Sequence, residues 1–599
     1  MTRRWTALVA VAVVGLALAG CGIPGETDVR VDGSGPPGLA TGANADIGAV
    51  PPKRDAATTR EEFVDNYLKA AAGDPGEAYG RVGDYLAPSA RRELKDQQDA
   101  AELNLVRVVS RTVADQPDGT AVATVRVRQI GVLLPDGQVN APKQTAAEYR
   151  ISITAMEKER GWFVATAPKD GLLLSDDGLA DYYESQTLYF WNLERTGLVP
   201  DPRYMAKAVS RGSQPTEIVR RLLTPPSGLI APVVRIPEGV KLIGNVPDTG
   251  TRLEIRLSAE AAAEGYDPLD LGRQILWSLP SGQRKPLTLK IEGQPDLPVE
   301  MDDAYRVANP TSRLAETPER FAIYKGKVHR LDSSPNLGRD PLPSLFSAQV
   351  NHDLAAVALA SEPGVTAAAL VMGASGSQRL LVGATGDDPT IGPTQVDGKQ
   401  YPAIGRPAWL KAPLDTGLVA IGGTLHRFGL HGGGLTPVPL PPGVGPVTAV
   451  SAAPDGRRIA LVAGGGLYVA AVSRADGAVD VQQTQAVRTS LGQVTDVAWN
   501  PERQLVVAGV LGNKSAILTI RVDGTAESDA GLDPEASVTY VVAYPNNPLT
   551  AEEQPEVMYV AGGAGYDYEG DNNLIVAEEV VAGPANAQPG EAGAPFFLN

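Results

Sequence analysis

Cysteine is almost absent from this sequence. Its 599 residues hold one, Cys21, so neither an internal disulfide nor a zinc site built from several thiolates is available. Histidine is nearly as scarce, at four residues, His329, His352, His426 and His431, which leaves few imidazoles for acid–base or metal chemistry. Positive charge is short as well: 53 Lys and Arg face 70 Asp and Glu, for a net charge of −17. Without a Lys/Arg cluster wide enough to track phosphates, the counterion-release term that dominates nucleic-acid affinity is missing. No apolar run beyond the first twenty residues reaches the length of a membrane-spanning helix.

What is there reads as a globular chain. Hydrophobic residues make up 43% and charged residues 21%, and 65 Gly with 49 Pro are too few for collagen or wholesale disorder. The length exceeds what one core can fill, so several domains are expected. At the N-terminus, Arg3 and Arg4 precede an apolar run from Trp5 to Leu18 and the small residues Ala19 and Gly20. These are the charged region, apolar region and cleavage site of an export signal. Leu18-Ala19-Gly20-Cys21 looks like a bacterial lipobox. Residues 1–20 are therefore read as a lipoprotein signal peptide, cut between Gly20 and Cys21. Cys21 is then the lipidation site, with S-diacylglycerol and N-acyl groups. Two acyl chains satisfy the two-signal rule for stable anchoring, on the extracytoplasmic face of the cell membrane.

Residues 21–57 are Gly/Pro/Asp/Ala-rich and read as a flexible tether with a reach of roughly 30 Å. Residues 58–184 read as an α+β domain. Thr58/Thr59 with Glu61/Glu62 start a helix, and Gly73-Asp74-Pro75 breaks it before a second helical stretch. The period then changes to two through Val106-Val108, Ala121 to Val127, Tyr149 to Ile153, Trp162-Val164 and Leu172-Leu174. Residues 185–300 read as a small mixed unit. Thr216 to Leu223 is helical, Val233 to Ile236, Lys241 to Val246 and Arg252 to Ser258 are expected strands, Leu269 to Leu279 a helix, and Leu287 to Ile291 a closing strand. The aromatic segment Tyr182-Tyr183, Tyr189, Phe190, Trp191 is read as packing between the first two domains rather than as a ligand platform.

Over 304–581 the texture shifts to short strands between Gly/Pro/Asp turns. Taking Gln349, Trp409, Ala453, Trp499 and Tyr544 as equivalent gives intervals of 60, 44, 46 and 45 residues, the spacing of propeller blades. Ala355 to Leu359, Leu418 to Ile421, Ile459 to Val462 and Leu505 to Val507 are taken as the inner strands. Gly326-Lys-Val-His-Arg330 matches Gly423-Thr-Leu-His-Arg427 and places one blade before Gln349. A four-stranded blade cannot bury both faces alone, so an all-β propeller is expected, with a β-sandwich as the alternative. Val557 to Val560 or Leu574 to Val576 is expected to close the ring, and residues 582–599 to form a tail.

No catalytic cluster emerges. His329 and His426 occupy matching repeat positions and read as strand residues. Gly373-Ala-Ser375-Gly-Ser377 lacks the second glycine of a nucleophile elbow, no Ser-x-x-Lys occurs, and neither Gly-Lys pair belongs to a P-loop. Asp567, Glu569, Asp571, Asn573 and Glu578 fall at positions 1, 3, 5, 7 and 12 of a calcium-type loop. Asn572 stands in place of the required glycine, so a solvated turn is preferred, with calcium as a weak alternative and no metal or cofactor assigned. The expected function is binding rather than catalysis. The alternative is an envelope hydrolase or lyase with a site at the propeller mouth, drawing on scattered carboxylates and the four histidines.

The lipobox, the unit ending in Gly171-Leu-Leu-Leu174, the run from Tyr189-Phe190 through Leu198-Val199-Pro200-Asp201-Pro202-Arg203, and the propeller-like half together resemble the actinobacterial LpqB lipoproteins. The middle unit is similar to the GerMN domain through Leu222-Leu223 with Pro225-Pro226, Ile236-Pro237-Glu-Gly239, Ser258 and Ile291-Glu-Gly293, with Thr224-Pro225 where that domain has glycine-proline. The resemblance implies an accessory protein of the MtrAB two-component system. It would bind the extracytoplasmic sensor domain of the MtrB histidine kinase and tune its signalling, with effects on cell division and envelope homeostasis. It carries over no catalytic residues, and Cys21 alone as a functional position.

Overall fold

The first helix, Arg60–Lys69, begins at a capping box. Thr59 accepts the Glu62 N–H at 3.1 Å, and Glu62 reaches back to the Thr58 amide and hydroxyl, both at 2.7 Å. Its buried Phe63, Val64, Tyr67 and Leu68 pack with the helices Ala78–Asp84 and Pro88–Lys95 on one face of a sheet. In that sheet Leu103–Asp115 pairs antiparallel with Ala121–Leu133 and parallel with Leu172–Ser175, while Ala146–Met156 and Glu159–Val164 continue the far side. Alternate residues Ala121, Ala123, Val125 and Val127 enter the core, as a period of two requires. The computed structural model describes residues 50–95, 102–143, 146–156, 159–236, 238–247, 250–335, 345–386, 391–475, 477–500, 502–532, 534–545, 547–549, 556–568, 572–581 and 592–599.

A two-stranded ribbon, Tyr183–Trp191 against Leu198–Ala206, leads into the middle domain. There Leu253–Leu257 and Leu287–Ile291 run parallel with the helix Pro268–Ser278 between them in sequence, and Leu297–Val299 adds an antiparallel edge. The β-α-β order is the expected one, but two of its strands are not there. Residues 233–236 and 241–246 contribute only single bridges, Asn192 to Val234 and Leu242 to Leu257. Pro232, Gly239 and Gly244 interrupt these stretches, the last two at positive φ, which a ladder does not accommodate. The helix Asp303–Ala308, assigned by texture to the propeller, belongs to this core. Tyr305 stacks on Trp277 with ring centroids 4.6 Å apart.

The remainder forms six antiparallel blades. From the axis outward they begin with Ala592–Phe597 and Arg320–Tyr324 in blade one, Leu354–Glu362 and Val365–Met372 in blade two, and Ala408–Leu410 and Thr416–Ile421 in blade three. Val447–Ala452 and Arg458–Ala463 begin blade four, Gln493–Trp499 and Gln504–Leu511 blade five, and Val538–Tyr544 and Glu556–Ala561 blade six. Each inner strand lies beside the inner strands of two neighbours. Six separate apolar cores fill the six seams, including the seam between blades six and one, where Tyr544 and Met558 meet Tyr324 and Phe597. Each sheet stays open, and the ring is completed by these face-to-face cores.

Three expectations are corrected here. Ala592–Phe597, placed in the tail, is the strand that closes the ring, pairing with Arg320–Tyr324. The expected closers Val557 to Val560 and Leu574 to Val576 lie within blade six or beside it. The stretches at 418–421, 459–462 and 505–507 are second strands, since the marker residues Trp409, Trp499 and Tyr544 themselves sit on the inner ones. Gln349 precedes its inner strand whereas Trp409 lies within one, which accounts for the long first interval.

Candidate functional site

A propeller presents two faces, and here they differ. Among the turns joining first to second strands are 411–415, 453–457 and, of the described residues, Asn500, Glu502 and Arg503, which include the Asp-Gly and Asn-Pro signatures that revealed the repeat. They form the seat of the middle domain. Glu502, buried, accepts hydrogen bonds from the Tyr189 hydroxyl and from Asn309 Nδ2, the latter at 2.6 Å. Burial lifts the Tyr189 hydroxyl far above the usual phenol range, and the neighbouring carboxylate adds to it. Arg457 reaches Glu194 at 2.8 Å and the Ala412 carbonyl at 3.1 Å. Arg458, 1% exposed, holds Asp455 at 2.8 Å and lies over the Trp499 ring at 4.9 Å.

The ribbon ties the rest together. The Tyr183 hydroxyl donates to the Gly73 carbonyl at 2.9 Å in the first domain, and Trp191 Nε1 donates to the Asp270 carbonyl at 2.9 Å in the middle one. Tyr204 bonds Asp523 and Thr525 of the propeller. Arg203, fully buried, binds Asp201 on its own strand, Asp136 of the first domain at 3.1 Å and the Pro225 carbonyl at 2.8 Å. The aromatic segment is thus packing, as expected, but it packs three domains rather than two. Breaking a buried ion pair costs about 3–5 kcal/mol, so these contacts hold the described residues as one body, in agreement with their single compact unit.

The opposite face carries the second-to-third-strand hairpins. Gly422-Gly423, Gly464-Gly465 and Gly562-Gly563 have positive φ at both positions, the geometry of a two-residue turn matched to strand twist. Lys325, Lys327, Lys399 and Lys514 are exposed on this side. Along the axis, Arg406 crosses from blade three to the carboxylate of Asp496 in blade five at 3.4 Å and the Val541 carbonyl in blade six at 2.8 Å, 4.8 Å from the Tyr540 ring centre. Asp496 and Tyr540 each follow a one-residue bulge in the inner strand, which aims them inward. Burial raises the Tyr540 hydroxyl to about 12. Burial also weighs against the Arg406 charge, and Asp496 more than restores it.

Cys21, Gly20, Glu569 and Asp571 lie outside the described residues. Asp567 and Asn573 are cross-strand partners in a hairpin, and Glu578 sits in a short 3-10 turn. Among the described residues no cluster of His, Cys, Asp or Glu is arranged to hold a metal, and no helix is long and apolar enough to cross a membrane. His329 and His426 occupy the third strands of blades one and three. His329 Nδ1 lies 3.3 Å from the Val581 carbonyl, and burial lowers its pKa. His352 contacts Asp353 and the Gln349 carbonyl. His329, His352 and His426 lie at three different blades, and His431 sits in the turn after the strand that carries His426. Ser377, from the elbow-like sequence, sits in a strand-to-strand turn bonded to Gln400 at 2.8 Å. Sequence reading passed over Glu502, Arg406, Asp496 and Lys411. The available signal was a charge near or on an inner strand, as at Arg406 and Asp496, whereas the inner strands of blades four and six carry residues such as Val450 and Val541.

Three family models match consecutive stretches: the lipoprotein LpqB N-terminal domain over residues 51–180, a sporulation and spore germination domain over 187–297, and the lipoprotein LpqB beta-propeller domain over 330–565. Lipoprotein LpqB of Rhodococcus opacus (strain B4) is 26% identical over 494 residues, covering 77% of this chain and 78% of the relative. Lipoprotein LpqB of Streptomyces coelicolor (strain ATCC BAA-471 / A3(2) / M145) is 27% identical over 597 residues, covering 90% of each. Among solved structures, a chain of the nidogen/laminin complex superposes with a TM-score of 0.29 at 10% identity, over 44% of this chain and 95% of that one. That likeness is too slight to bear on fold or function.

Proposed function

Since this chain belongs to the LpqB lipoprotein family, we propose that it is a lipid-anchored, extracytoplasmic, non-catalytic adaptor that binds the sensor domain of an MtrB-like histidine kinase and tunes its signalling. Cell division and envelope homeostasis would respond through that kinase. The observation that carries this reading is the asymmetry of the propeller. One face is spent on the middle domain, and the other, uncovered by another domain among the described residues, presents the exposed Lys325, Lys327, Lys399 and Lys514 on a chain of net charge −17. A rigid face with variable loops is a common platform for recognition, and lysines on it favour an acidic partner surface. Binding one kinase state more tightly by about 1.4 kcal/mol moves the state ratio tenfold.

The test is titration of the full chain with the kinase's extracytoplasmic domain. Saturable association is expected, weakened at least tenfold by reversing the four lysines to glutamate and weakened by added salt. Absence of association at high micromolar concentration overturns the reading. In cells, Cys21→Ser is expected to release the protein from the membrane fraction and to abolish metabolic fatty-acid labelling.

A further inference from the structure

The axis of the propeller encloses a cavity of about 100 Å³. Arg406 lines it at one end of the inner strand Ala408–Leu410 and Lys411 at the other, under Leu314 of the segment that enters the propeller. Between them the lining is largely apolar, with Ala358, Ala408, Ala452, Ala498 and Ala543 on it and Ser451, Tyr540 and Asn599 as polar members. Lys411 is 9% exposed. Its ammonium makes no hydrogen bond or ion pair among the described residues, for the nearby Glu362 carboxylate already accepts the amides of Ala412 at 2.7 Å and Leu414 at 3.0 Å. Trp499 lines the same cavity, and its Nε1 is buried without an acceptor among the described residues.

A largely buried ammonium without an acceptor is costly, and Lys411 Nζ, on the lining of the cavity, calls for an acceptor oxygen. The cavity therefore offers a cation at its Lys411 end and a largely apolar lining along its middle. An amphipathic occupant with a charged head and a short apolar body answers both. We infer that the axial cavity binds a small linear carboxylate of about four to six heavy atoms, its oxygens on Lys411 Nζ and its carbon chain along the alanine wall. This site is independent of the kinase reading, because it lies inside the ring rather than on the free face.

Three groups set the charge state of the site: the Lys411 ammonium, Glu362 from blade two and Arg313 from the segment over the mouth. Burial lowers the Lys411 pKa to about 8, Glu362 opposes that, and Arg313 adds to it. The ligand needs the ammonium, so affinity should hold below pH 8 and fall about tenfold per unit above it.

Calorimetric titration of the full chain in detergent tests this, with butyrate as probe and 1-butanol and butylamine, of similar size, as controls. One butyrate per chain is expected, at least tenfold tighter than either control and with the pH profile above. Lys411→Met should abolish butyrate binding and leave the circular dichroism unchanged. Ala498→Leu, which fills the wall and keeps the lysine, should abolish it too, and guards against misfolding of the first variant. Equal binding of butyrate and butanol, retention of binding by Lys411→Met, or a butyrate-soaked crystal showing only water in the channel would overturn the assignment.

Discussion

The two faces of the propeller are built from the same repeat but differ in chemistry. At the docked face Asp455, Arg457, Arg458 and Glu502 are all buried: Arg457 and Glu502 bond groups of the other domain, and Arg458 holds Asp455 of its own blade and the Glu502 carbonyl of blade five. On the opposite face the hairpins of blades three, four and six are closed by glycine pairs, whose positive φ excludes most side chains, and exposed lysines stand beside other turns of that face. The contrast teaches that a repeat's most legible turns need not be its most functional ones. Here the Asp-Gly and Asn-Pro turns stand out in sequence because they anchor a domain.

The comparison can be broken most severely at Arg458. Arg458→Met leaves the Asp455 carboxylate buried without its partner and is expected to cost about 3–5 kcal/mol, read by chemical denaturation. Next comes Lys411, at the docked-face end of the axis. Its folded pKa of about 8 lies below the unfolded value of 10.5, so between those values the unfolded chain holds a proton that the folded chain has lost, and stability rises with pH across that window. The gain is about 3 kcal/mol, read as the difference between wild type and a flat Lys411→Met reference. Glu502→Leu strips the acceptor from Tyr189 and Asn309 and should cost about 2–3 kcal/mol. It should open the connector around residues 313–319 to limited proteolysis while kinase binding through the free face persists. The smallest effect is expected at Gly464→Val, about 1–2 kcal/mol from the left-handed backbone, with no change in proteolysis of the connector.

Much of this architecture could be read before the structure. The helix start at Thr59, the period-two strands from Leu103 onward and the blade spacing all follow from short-range rules that one sequence obeys locally. The failures have a common cause. Residues 233–236 and 241–246 are apolar enough for strands, but glycines and a proline between them break the ladder, so burial is achieved without pairing. The closing strand Ala592–Phe597 sits after an Ala/Gly/Pro-rich stretch and carries little β-branched character. Its identity is fixed by Arg320–Tyr324, nearly three hundred residues away. The seat around Glu502 and the axial Lys411 were invisible for the same reason. A lone charge in a loop reads as solvated until the fold shows what covers it.

The distance between Arg320–Tyr324 and Ala592–Phe597 also imposes a schedule on biogenesis. As the polypeptide is synthesised, Arg320–Tyr324 waits with an unpaired inner edge until Ala592–Phe597 has been made. Such long-range pairing is slow and leaves an adhesive edge exposed meanwhile. Refolding of the full chain is therefore expected to be limited by the docking of Ala592–Phe597 onto Arg320–Tyr324.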